Sequence, residues 1–106
     1  MLQGAKQRAK LRGIPLTITV DDVQAVWPND DRCPITGVTF RRACRNEKGY
    51  DDRSPSIDRI NPKLGYIPGN INIISAKANA VKSNITDPEF FKRIASYLES
   101  NAEKLK

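Results

Sequence analysis

The chain has 106 residues and carries 18 Lys plus Arg against 12 Asp plus Glu, with no histidine, for a formal charge of +6. That length suits one small domain, spanning 1–106, with one modest core, and an aromatic content of only 7% keeps the core thin. The charge balance points towards a polyanionic partner, nucleic acid first, as against a basic surface that merely aids solubility.

Cys33 and Cys44 are the two cysteines, and without histidine they cannot complete a four-ligand zinc site. They could form one disulfide, but no leader segment is in view, so reduced thiols in the cytoplasm are the expectation. Met1–Arg12 is basic without an apolar stretch, unlike a secretory signal. No apolar run approaches the ~20 residues that cross a bilayer, so no membrane association is expected.

In chain order, Leu2–Arg12 predicts a basic helix with a weak stripe of Leu2, Ala5 and Ala9, closed by Gly13 and Pro15. Leu16–Thr19 alternates like a short strand. Thr19 and Asp22 suggest a capping box for a helix over Val20–Trp27, stopped by Pro28. The turn Cys33-Pro34-Ile35-Thr36-Gly37 leads into strand-like Val38–Phe40, and Arg41–Pro55 reads as a charged loop. Ser56–Ile60 is a short β run. Asn61–Gly69 holds two prolines and two glycines and reads as a structured turn. Ile71–Ile74, β-branched at three of four positions, predicts a strand, and Ser75–Lys82 predicts a helix. Thr86-Asp87-Pro88-Glu89 combines capping signals with an early proline, and Phe90, Phe91, Ile94, Leu98 and Ala102 recur at helical spacing. The expectation is a C-terminal helix over 87–104 whose apolar face closes the core.

Three polar residues stand out in the strand–turn–strand–helix segment. They are Asp58 on the first strand, Asn70 where the second begins, and Asn79 on the helix. A carboxylate and an amide oxygen brought together suit a hard cation such as Mg²⁺. Such an ion can stabilise the charge that develops on a phosphodiester leaving oxygen. By residue type alone, a lone Asp is more often a turn or cap residue, and an Asn on a helix is more often merely exposed.

The wording of the segment narrows the choice. Ser56-Ile57-Asp58-Arg59-Ile60, Gly65-Tyr66-Ile67-Pro68-Gly69-Asn70 and Ile74-Ser75-Ala76-Lys77-Ala78-Asn79-Ala80-Val81-Lys82 resemble the HNH (His-Me finger) nuclease motif. The wider chain resembles small phage-type HNH-like proteins, through Arg8-Ala9-Lys10, the Cys-Pro-x-x-Gly turn and a closing helix. The resemblance implies an α+β fold: an HNH-like ββα-metal finger over 56–83, a short antiparallel hairpin plus helix, flanked by N- and C-terminal helices. It implies metal ligation by Asp58 and Asn79, with Mg or Mn as the divalent ion, and bracing of the finger by Asn70. Arg59 occupies the place of the family's general-base histidine, and a guanidinium cannot accept a proton from water. Ser75, Ala78 and Thr36 stand where the family has zinc-binding cysteines, which implies that the structural zinc is lost.

The function expected from the resemblance is a metal-dependent endonuclease acting on nucleic acid, DNA first, with Asp58, Arg59, Asn70 and Asn79 as its catalytic set. The water's proton would then pass to solvent, to a substrate phosphate oxygen, or to Tyr66 or Tyr50. Phosphate contacts are expected from Lys6, Arg8, Lys10, Arg12, Arg41, Arg42, Arg45, Arg53, Lys77 and Lys82, forming one basic face. Without metal, Arg59 is expected to pair with Asp58. Two alternatives stand beside the enzyme: an HNH-derived protein that binds DNA without cutting it, and a phage protein acting on a host protein. The oligomeric state is left open.

Overall fold

The computed structural model describes residues 1–41 and 51–106. Helix α1 (Leu2–Arg12) ends where Gly13 takes a left-handed conformation (φ 65°), and the Ile14 amide reaches back to the Ala9 carbonyl. Its buried residues, Ala5 and Ala9, are small, so the helix backbone lies close to what it covers. Helix α2 (Val20–Val26) starts on a reciprocal cap: Thr19 Oγ1 accepts from the Asp22 amide, and Asp22 accepts from the Thr19 amide. Trp27 then meets Phe40 edge-on, with ring centroids 5.7 Å apart.

The centre is an antiparallel hairpin of β1 (Pro55–Arg59) and β2 (Ile71–Ser75), in a register that sets Ile57 against Ile73 and Asp58 against Asn72. Ile57, Ile71, Ile73 and Ile74 are buried and join Ala5, Ala9, Ile18, Val23, Cys33, Phe40 and Tyr66 in the core. Helix α3 (Ala76–Lys82) follows β2 directly, capped by Ser75 Oγ, which accepts from the Ala78 amide. It packs on both strands, and α2 lies against β2. This is the α+β hairpin-and-helix arrangement expected from the sequence.

The turn between the strands is held from two sides. Gly65 lies so close to Pro15 that a Cβ there would run into the Pro15 carbonyl. The Tyr66 amide donates to that same carbonyl, and the Thr17 amide donates to the Tyr66 carbonyl. These bonds make Leu16 a single parallel bridge to Tyr66, where the alternation of Leu16–Thr19 had suggested a strand. Thr19 is already committed to capping α2, so the segment has no length to extend. Val38–Phe40 likewise yields one bridge, Arg32 to Thr39, across the Cys33–Gly37 turn.

The C-terminal helix departs further from expectation. Helix α4 (Pro88–Ser100) forms with Asp87 as its cap, and a 3₁₀ turn (Ala102–Leu105) follows it. None of its residues is buried, and its main packing is with that turn. It does not close the core. Periodicity marks the face that would be apolar, but it does not say which surface covers that face.

Candidate functional site

A groove of about 970 Å³ opens between β1, α3 and α1. Its floor includes Ser56, Ile57, Asp58 and Arg59 from β1, and Lys77, Asn79 and Ala80 from α3. Arg8 and Arg12 of α1 contribute to its rim. They sit four residues apart, on one face of that helix. Asp51, Asp52 and Tyr66 also line the groove.

Asp58 and Asn79 therefore face one space. Asn79 Nδ2 donates to Ser56 Oγ at 2.8 Å and to the Ile57 carbonyl at 3.3 Å, which binds α3 to β1 immediately before Asp58. Ser56 was not singled out from the sequence. Its spacing of two from Asp58 puts both on one face of the strand, which is the signal that could have found it. With its NH₂ end used in this way, Asn79 leaves its amide oxygen to accept.

Asp58 is 5% exposed, and its Oδ1 lies 3.0 Å from Lys82 Nζ. Lys82 also donates to the Arg59 carbonyl at 3.1 Å. Lys82 is thus the counterion of Asp58 rather than a group waiting for phosphate. The expected pairing of Arg59 with Asp58 does not occur, because consecutive strand residues point to opposite faces. Arg59 Nη1 donates instead to the Pro62 carbonyl at 2.8 Å, with a second approach to Leu64 O at 3.4 Å. Its guanidinium carbon sits 5.6 Å from the centre of the Tyr66 ring.

Asn70 is buried and tied at both ends. Its Oδ1 accepts from the Asn61 amide at 2.8 Å, and its Nδ2 donates to the Asn61 and Gly65 carbonyls at 3.1 and 2.9 Å. These bonds hold the turn that leads from Asp58 and Arg59 back into β2.

The other basic residues divide. Lys77 is exposed beside Asn79. Lys6 and Lys10 lie roughly 200° round α1 from Arg8 and Arg12 and do not reach the groove. Arg41 and Arg53 both pair with Asp51, at 2.9 and 3.6 Å. Arg42, Arg45, Cys44 and Tyr50 lie outside the described residues. The single continuous basic face expected from the sequence is therefore not formed by the described residues.

For a divalent cation, the donor set is one carboxylate and one amide oxygen. No cluster of three or more His, Cys, Asp or Glu side chains occurs among the described residues. Mg²⁺ commonly uses one or two carboxylates and keeps several waters, so the set is compatible with it, provided Lys82 yields Asp58. Cys33 is buried and accepts from the Ser75 amide at 3.3 Å. Burial pushes its thiol up, but hydrogen bonds from the Thr36 side chain and the Ser75, Thr36 and Ile35 amides outweigh this and bring it down to about 6.

No protein-family model and no curated protein matches the sequence. Among solved structures, the rare-cutting HNH restriction endonuclease PacI, described for an unusual mechanism of DNA perturbation, aligns with a TM-score of 0.61. The match has 21% sequence identity and covers 93% of this chain and 74% of that one. The strand–turn–strand–helix unit that carries Asp58, Asn70 and Asn79 thus belongs to a chain with the fold of an HNH endonuclease.

Proposed function

We propose that this chain is a divalent-metal-dependent endonuclease of a degenerate HNH type that hydrolyses phosphodiester bonds in DNA. The observation that carries the proposal is the convergence of Asp58 and Asn79 on one groove edged by Arg8, Arg12 and Lys77, in a chain with this fold. DNA is assigned as substrate by analogy with PacI, an argument from fold and not from base contacts.

Asp58 and Asn79 would hold Mg²⁺ or Mn²⁺ through their oxygens. When bound, such an ion supplies Lewis-acid stabilisation of charge on the phosphodiester oxygens. Arg8, Arg12 and Lys77 hold the flanking phosphates. Lys82 holds the Asp58 carboxylate in place, and would yield it to a bound cation. Arg59 stiffens the turn and cannot take a proton, so the water's proton leaves to solvent or to a substrate phosphate oxygen. Tyr66 is buried beneath Arg59, which does not favour it as an acceptor.

A second reading, DNA binding without cleavage, is favoured by one observation: Asp58 already has a counterion in Lys82. Incubating supercoiled DNA with the protein in Mn²⁺, Mg²⁺ or EDTA separates the two. The endonuclease nicks DNA only with cation and loses that activity in Asp58→Asn. Cation-independent binding with no cleavage in any condition selects the second reading.

A further inference from the structure

Helix α3 meets strand β1 in two matched pairs, Asn79 on Ser56 at 2.8 Å and Lys82 on Asp58 at 3.0 Å. Ser56 and Asp58 are two apart on the strand, on one face and about 7 Å from each other. Asn79 and Lys82 are three apart, on one side of the helix. The first pair has a fixed polarity. A backbone carbonyl can only accept, so the end of Asn79 that approaches the Ile57 carbonyl at 3.3 Å is its NH₂ group. That same group meets Ser56 Oγ, which therefore accepts. The Ser56 hydroxyl proton is left over, and no acceptor among the described residues takes it. Ser56 lines the groove and is only part-buried, so the proton is free to be donated there.

We infer that the Ser56 hydroxyl is a substrate contact, donating a hydrogen bond to a non-bridging oxygen of the phosphate held in the groove. The inference rests on the reading of this groove as a phosphodiester site. The charge around Ser56 selects an anion as the acceptor. Arg8, Arg12 and Lys77 line the groove without a carboxylate partner among the described residues, whereas Asp51 is taken by Arg41 and Arg53, and Asp58 by Lys82. Of the acids that line the groove, Asp52 alone opposes them. Hydroxyl contacts to phosphate oxygens fix the register of a nucleic acid without reading its sequence, and a hydrogen bond to a charged oxygen is stronger than one to a neutral group. Ser56 carries no charge, so its effect on binding is separable from that of the cations. When Ser56 is truncated, Asn79 keeps the Ile57 carbonyl as a partner, so its amide oxygen keeps its direction.

Fluorescence titration of labelled duplex DNA in EDTA, repeated over a range of salt, tests the inference. Ser56→Ala should weaken binding about tenfold and leave the log–log salt slope at its wild-type value, because no cationic contact is lost. Ser56→Thr, which keeps the hydroxyl and suits a strand, should bind like wild type. Mn²⁺ affinity without DNA, read by electron paramagnetic resonance, should be unchanged in Ser56→Ala. Circular dichroism checks that the variants fold. Ser56→Cys, a weak donor, replaces Ser56→Ala should that variant not fold, and should weaken binding in the same way. DNA affinity equal to wild type in the Ala or Cys variant overturns the inference. A fall in affinity with a flatter salt slope overturns it as well, since α3 and Lys77 would then have moved. Weaker Mn²⁺ binding with unchanged DNA binding overturns it in favour of Ser56 acting only through Asn79. These outcomes are independent of cleavage. If wild type nicks no DNA with any cation while Ser56→Ala still binds it more weakly, the phosphate contact stands and the endonuclease reading falls. If wild type nicks DNA and Ser56→Ala binds it normally, only the contact falls.

Discussion

Asn70 uses both ends of its amide on one turn, accepting from Asn61 and donating to Asn61 and Gly65. Truncating it leaves buried backbone groups without partners, so Asn70→Ala should lose about 1–3 kcal/mol, measured by urea denaturation. An unchanged midpoint would contradict the bracing role. Cys33 gives a pH signature. Its thiol is lowered from 9.0 to about 6 in the folded chain, so folding favours the thiolate. That contribution is fully present above the unfolded value and is lost as pH falls through about 6. The stability difference between wild type and Cys33→Ala should therefore grow from pH 6 to pH 9, and a flat difference would show that the thiolate is not favoured. Asp58 also bears on folding through its ion pair with Lys82: Asp58→Ala strands a half-buried ammonium, so Asp58→Asn is the cleaner variant for activity.

At the scale of elements, the hairpin and α3 were legible because several signals agree there. β-Branched runs flank a Gly- and Pro-rich turn, and Ser75 supplies the cap between strand and helix. The Thr19–Asp22 box was equally readable, since capping depends on residues three apart. What could not be read depends on distant packing. Leu16 meets Tyr66 through Pro15 and Gly65, and Lys82 meets Asp58 across 24 positions of chain. Helix α4 shows the same limit, since its stripe was evident while the surface it would cover was not. Within the site, Asp58, Asn70 and Asn79 were found through the wording of the motif and not through their chemistry alone. The partner of Asp58 was missed because Arg59 is its neighbour in sequence but points to the other face.

At the scale of the molecule, cationic side chains divide between groove and far side, and binding should show the division. Each phosphate neutralised contributes about −0.9 to the log–log salt slope on duplex DNA. Arg8→Ala and Arg12→Ala should each reduce the slope by about that amount, while Lys6→Ala and Lys10→Ala leave it unchanged in fluorescence titrations. Equal effects from all four would mean that the groove does not direct binding. No helix among the described residues is long and apolar enough to cross a membrane. The central claim is that Asp58 and Asn79 share one divalent ion in the groove. The most direct measurement is Mn²⁺ titration followed by electron paramagnetic resonance, on the protein bound to duplex DNA. The account predicts one Mn²⁺ per chain, lost in Asp58→Asn, weakened in Asn79→Ala and tightened in Lys82→Met. Mn²⁺ binding that is absent in wild type, or indifferent to both Asp58→Asn and Asn79→Ala, would contradict it.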